Sequence, residues 1–208
     1  MSEPLVLVVD DDIAVREALD GLFRSVGMRV ELFATTAALL ERTLPDVESC
    51  LVLDVRLPGM SGLDFQAQLA RMGGDIPIIF MTGHGDVPMS VRAMKAGAVD
   101  FLQKPFRDQD MLDAVAAAVE RDRVRRGGLG EVAALHSRYQ TLTPRERQVL
   151  THVTAGLMNK QIAAEIGLSE ITVKIHRGHL MKKMEARSLA DLVRMAESLR
   201  AHPPRPAA

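Results

Sequence analysis

Four polar groups in the first half of the chain each follow a short apolar run: Asp10-Asp11-Asp12 after LVLVV, Asp54 after LVL, Thr82 after PIIFM, and Lys104 just past VDFL. Three carboxylates, Asp10, Asp11 and Asp54, cannot meet as bare anions without cost, since unit charges ~4 Å apart repel by about 4 kcal/mol at an effective dielectric near 20. Either protons are retained or a hard divalent cation neutralises them. Few carboxylates with room for water suit Mg²⁺ better than an all-protein Ca²⁺ cage. Lys104 brings a mobile point charge suited to a phosphoryl oxygen, and Thr82 a hydroxyl that can follow it. Together they describe a site where a carboxylate attacks phosphorus and the acyl phosphate is held electrostatically.

Such a site needs elements that carry these groups to one place. Residues 5–9, 28–33, 51–53, 77–81 and 99–102 read as strands, and helical periodicity fills 13–26, about 36–42, 61–72, 87–96 and 108 onward. Strand alternating with helix predicts a doubly wound, five-stranded parallel sheet covered on both faces. Right-handed crossovers set every carboxyl end along one edge, where open α/β sheets bind ligands. His84, a loop histidine between two glycines, reads as solvated rather than as a phosphate acceptor, and the methionines read as core filler.

The 208 residues suffice for two domains, and with no tryptophan and 3% aromatics the cores must be aliphatic. Apolar runs fall far short of a membrane span, and no signal sequence opens the chain. Cys50 is the single cysteine, so an internal disulfide is impossible and a cytoplasmic location without membrane partners is expected. The net charge of −1 hides a division. Residues 1–120 hold 10 Lys+Arg against 19 Asp+Glu, whereas residues 121–208 hold 16 against 8. An acidic module joined to a nucleic-acid-binding one fits that asymmetry.

Gly127-Gly128-Leu129-Gly130 is expected to break the fifth helix, placing a linker over residues 123–140 between domains at 1–122 and 141–208. Beyond it the pattern is helical only. Thr143-Pro144-Arg145-Glu146 starts a helix ending at Gly156; Asn159 is expected to cap a short second one; Ser169 caps a third, to about Met184; Ser188 starts a fourth. The tail HPPRPAA is expected to be disordered. The second and third helices, joined by Gly167-Leu168-Ser169, have helix-turn-helix proportions within an all-α four-helix domain. On the third, Val173, His176, Leu180 and Met184 recur on a core face. Lys174, Gly178 and Lys182 step along another face, flanked by Ile175 and Arg177.

VVDDD at 8–12, LDVRLPGMSG at 53–62, MTGHGD at 81–86 and KAGAVDFLQKPF at 95–106 resemble, in order, the receiver domain of bacterial two-component response regulators, which has a flavodoxin-like fold. LTPRERQVL at 142–150 and GLMNKQIAAEIGLSEITVKIHRGHLMKKM at 156–184 resemble the LuxR-type helix-turn-helix of the NarL/FixJ group, FixJ-like branch. The first resemblance implies that Asp54 accepts phosphate from a sensor histidine kinase. It also implies Mg²⁺ held by the Asp11 and Asp54 side chains and the Arg56 carbonyl, with Asp10 assisting through water. Thr82 and Phe101 become a switch pair, the peptide before Pro105 is cis, and Asp12 stays outside the site. The second resemblance makes Glu170–Met184 a recognition helix. Lys174, Ile175 and Gly178 then reach bases or backbone, and Lys160, Thr172, Arg177 and Lys182 are candidates for phosphate. Gly178 departs from relatives that carry a basic residue there.

What the resemblance implies overall is a transcriptional activator that dimerises on phosphorylation, binds double-stranded promoter DNA and works with RNA polymerase. It is not an enzyme beyond its own phosphotransfer and slow autodephosphorylation. An aspartate-nucleophile phosphohydrolase would carry a second acid two residues past the nucleophile, where this chain has Arg56. A regulator with a vestigial receiver and a protein-interaction adaptor are the other functions these residues allow.

Overall fold

A computed structural model of the chain describes residues 3–43, 46–83 and 87–203. His84 and residues 204–208 of the tail lie outside them. The chain divides into two units, Met1–Arg126 and Gly127–Ala208.

In the first unit, β1 (Leu5–Val9), α1 (Ile13–Ser25), β2 (Arg29–Phe33), α2 (Thr36–Leu40), β3 (Ser49–Asp54), α3 (Gly62–Arg71), β4 (Ile78–Thr82), α4 (Val87–Lys95) and β5 (Asp100–Gln103) lead into α5 (Asp108–Gln140). The strands form one parallel sheet in the order β2-β1-β3-β4-β5, as expected of a doubly wound fold. Alternation along the strands sends Leu7, Leu51, Leu53 and Phe80 to one face, against Leu39, Phe65 and Ala93 of α2, α3 and α4. Val8, Val52, Ile79 and Met81 go to the other, against Leu19 and Phe23 of α1 and Met111 and Val115 of α5. Burial on both faces is why these strands are unbroken apolar runs. Asp12, left out of the site, caps α1 by accepting from the Ala14 N–H at 2.8 Å.

The expected break at Gly127 does not occur: α5 continues through all three glycines to Gln140, so residues 123–140 are helical. Glycine costs a helix about 1 kcal/mol relative to alanine, but unlike proline it keeps its N–H. The Arg-, Ala- and Leu-rich flanks carry the helix across. Where α5 leaves the first unit, the fully buried Asp122 accepts from the Ser49 N–H of β3 at 2.9 Å and pairs with Arg125 and Arg126 at 2.5 and 2.6 Å.

The second unit contains α6 (Pro144–Thr154), α7 (Asn159–Ile166), α8 (Glu170–Met184) and α9 (Leu189–Ala201). Leu135, Val149, Ile162, Val173, Leu180 and Leu192 build its core. Thr143 and Glu146 close the capping box expected at the start of α6. Asn159 does not cap α7. It is the first helical residue, and Gln161 instead accepts from the Met158 N–H at 2.8 Å. The Asn159 side chain is taken by Arg177 of α8, which donates to it at 3.0 Å. Gly167, with φ 68°, turns α7 into α8 in the left-handed conformation. Among the described residues no helix is long and apolar enough to cross a membrane.

Candidate functional site

β1 and β3 are register-matched neighbours, with Val9 opposite Leu53, so Asp10 and Asp54 leave the sheet side by side. Carboxylate oxygens of Asp10, Asp11 and Asp54 lie within 4.8 Å of one another. Asp10 and Asp54 are buried and Asp11 is exposed, which leaves the cluster open on one side. Lys104 reaches in from the end of β5, its Nζ 2.5 Å from Asp10 Oδ2 and 3.4 Å from Asp54 Oδ1. Its backbone N–H donates to the Thr82 carbonyl at 2.8 Å, tying the ends of β4 and β5, and the Lys104–Pro105 peptide is cis. Thr82 is fully buried at the end of β4. Phe101 is half-buried on β5, its ring centroid 6.4 Å from that of Phe80. Arg56 is exposed and lines, with Asp11, a cleft of about 560 Å³ beside the cluster.

Burial pushes the Asp54 carboxyl up from its ordinary range, and the neighbouring Asp10 adds to this; the Lys104 ammonium and a backbone hydrogen bond at Arg56 work against it. Its buried Oδ1 finds no hydrogen-bond partner among the described residues, only the ion-pair contact with Lys104. An orphaned buried oxygen beside two further carboxylates is an all-oxygen donor set that fits a hard divalent cation.

Two supporting residues escaped the sequence reading. Arg16 of α1 donates to the carbonyls of Asp10 and Asp11 at 2.6 and 3.0 Å, fixing the loop after β1. Gly62 is buried at the start of α3, and its N–H donates to the Val55 carbonyl at 2.9 Å. Gly62 stood within a quoted motif; nothing in sequence spacing pointed to Arg16.

On the second unit, Lys160, Lys174, Ile175, Gly178 and Lys182 are exposed, while Val173, Leu180 and Met184 are buried. His176 is half-buried. Thr172 and Arg177 are half-buried and bonded within the unit, Thr172 to Ser169 Oγ at 2.7 Å and Arg177 to Asn159.

Residues 6–116 match the family described as response regulator receiver domain, and residues 140–196 that of bacterial regulatory proteins, luxR family. Nodulation protein W of Bradyrhizobium diazoefficiens is 64% identical over 198 residues, covering 95% of this chain and 87% of that protein. Transcriptional regulatory protein FixJ of Rhizobium meliloti is 44% identical over 197 residues, covering 94% and 96%. Among solved structures, response regulator StyR is 49% identical with a TM-score of 0.83, covering 94% of this chain and 99% of that one.

Proposed function

Because the chain belongs to the NarL/FixJ family of two-component response regulators, in which a receiver domain precedes a LuxR-type DNA-binding domain, we propose that Asp54 is the phosphoacceptor whose occupancy controls transcription. The observation that carries this reading is the buried Asp54 Oδ1, without a hydrogen-bond partner among the described residues, in ion-pair contact with Lys104 and close to two more acids.

A carboxylate oxygen of Asp54 attacks the phosphorus of a phosphohistidine on the partner kinase; the phosphorus–nitrogen bond breaks, and imidazole leaves as an acyl phosphate forms. Asp11, Asp54 and the Arg56 carbonyl, with Asp10 through water, are the groups that would hold Mg²⁺. When bound, the ion neutralises charge on the phosphoryl oxygens. Lys104 exchanges its contact with Asp10 for a phosphoryl oxygen, and the Thr82 hydroxyl moves to another. Phe101 turns inward in its wake, altering the surface formed by α4, β5 and α5. Two chains then pair through that surface, and two α8 helices meet two half-sites of double-stranded DNA. Lys174, Ile175 and Gly178 face bases or backbone there, and Lys160, Thr172, Arg177 and Lys182 face phosphates.

By this reading the chain is a cytoplasmic activator that works with RNA polymerase. Its only catalysis is its own phosphotransfer and slow dephosphorylation. The deciding experiment treats the full chain with acetyl phosphate and Mg²⁺, followed by intact mass, sizing and DNA binding. The wild type gains one phosphoryl group, dimerises and binds; Asp54→Ala does none of these. An Asp54→Ala chain that still dimerised and bound on treatment would end the proposal.

A further inference from the structure

Ile171 and Ile175 stand one turn apart in the first half of α8, 74% and 52% exposed. That helix packs into its unit through Val173, Leu180 and Met184, so these two aliphatic side chains contribute little to the core. Lys174 lies between them in sequence, and Gly178 follows three residues after Ile175. Gly178 has no positive φ, and a β-carbon built there meets no atom within 4 Å. Neither backbone conformation nor packing asks for glycine at that position, and helix propensity weighs against it. A mid-helix backbone stripped of its side chain lets another surface come close.

The occupant is set by charge and by what a groove can offer. Lys174 on the same helix turn, Lys182 further along α8 and Lys160 on α7 are all exposed, in the half of the chain with 16 Lys+Arg against 8 Asp+Glu. A polyanion fits such a face. Among the four ordinary bases, the one aliphatic group displayed in the major groove is the thymine 5-methyl, and residues near the start of a recognition helix are those that reach base edges. We propose that Ile171 and Ile175 read thymine methyl groups, with the bare Gly178 letting α8 sit deep enough for both to touch. The inference rests on the DNA-binding reading above and adds to it the class of base pair the helix selects.

The test uses duplexes selected from a randomised pool by the full, acetyl-phosphate-treated chain, then remade with deoxyuridine at each thymine in turn. Loss of the methyl should weaken wild-type binding about fourfold at one or two positions per half-site, the worth of one buried carbon. Ile171→Ala and Ile175→Ala should each erase the thymine–uracil difference at one of them. Gly178→Ala should raise the melting temperature of the free chain while lowering affinity for the selected duplex; equal or tighter binding would overturn the close approach. If the wild type binds thymine and uracil duplexes alike and keeps a steep salt dependence, methyl reading is wrong and DNA binding stands. If no duplex is bound in a salt-dependent way, both fall together.

Discussion

A β-carbon on Gly62 would stand 2.5 Å from the carbonyl oxygen of Asp54. The first turn of α3 is therefore packed onto the peptide that carries the central carboxylate. The two nearest atoms, Asp54 O and Val55 Cα at 3.1 Å, are backbone and cannot swing aside as the third, Leu53 Cγ at 3.2 Å, could.

Gly62→Ala should accordingly destabilise the chain by about 1–3 kcal/mol, the usual cost of overpacking. It should also slow phosphorylation by acetyl phosphate, because relief of the clash displaces Asp54 itself. Denaturant melting and intact mass are the readouts. A variant as stable and as reactive as the wild type would show that the contact is absent in solution.

Mg²⁺ should stabilise the folded chain through the three acids that lie within 4.8 Å. At a free concentration ten times its Kd the gain is about 1.4 kcal/mol. Asp11→Asn removes the exposed member of the set and should greatly reduce the rise in Tm. If Asp11→Asn retained the full Mg²⁺ response, the ion would be held elsewhere.

Glu146 links three parts of the second unit. Its side chain accepts from the Thr143 N–H at 2.8 Å and from Lys183 Nζ at 2.7 Å, and it is buried. Burial by itself would raise its pKa; the hydrogen bonds from Lys183 and Thr143 outweigh that and hold the carboxyl below its ordinary 4.5. A carboxylate with a depressed folded pKa adds stability that is fully present above the unfolded value and lost as pH falls through the folded one. Stability should therefore drop on acidification below about pH 4.5, and Glu146→Gln should flatten part of that drop. At neutral pH the same substitution should cost about 1–3 kcal/mol. Urea midpoints across this range decide; an unchanged acid limb in Glu146→Gln would remove Glu146 as a source.

Lys160→Ala and Lys174→Ala should separate positioning from reading. Lys160→Ala should weaken binding to all duplexes alike and reduce the salt slope by about 1. Lys174→Ala should shift the preferred sequence. Equal effects of both on every duplex would reject the assignment of faces on α7 and α8.

Much of the site was legible because its parts sit at strand ends, where apolar runs stop abruptly at Asp10, Asp54 and Thr82. The helix-turn-helix was legible through local punctuation: Thr143 with Glu146, Gly167, Ser169. What escaped was set by neighbours distant in sequence. The Asp122 contact to Ser49 spans 73 positions and the Lys183 contact to Glu146 spans 37, so no local pattern announces either. Asn159 looked like a cap because its type favours caps; a guanidinium from α8 claimed it instead. The glycines at 127, 128 and 130 resemble a break because each is a poor helix former on its own, yet the strong helix formers that flank them carry α5 through.

The buried Asp122 gives β3 a second significance. The strand is fastened to α5 at Ser49, its first residue, and presents Asp54 at its last, roughly 16 Å away along the chain. The middle of the outgoing helix and the acid at the opposite edge are thus mounted on a single rod. Lengthening or shortening that rod by one residue would turn the intervening side chains over to the wrong layer, so the two attachments hold each other in register.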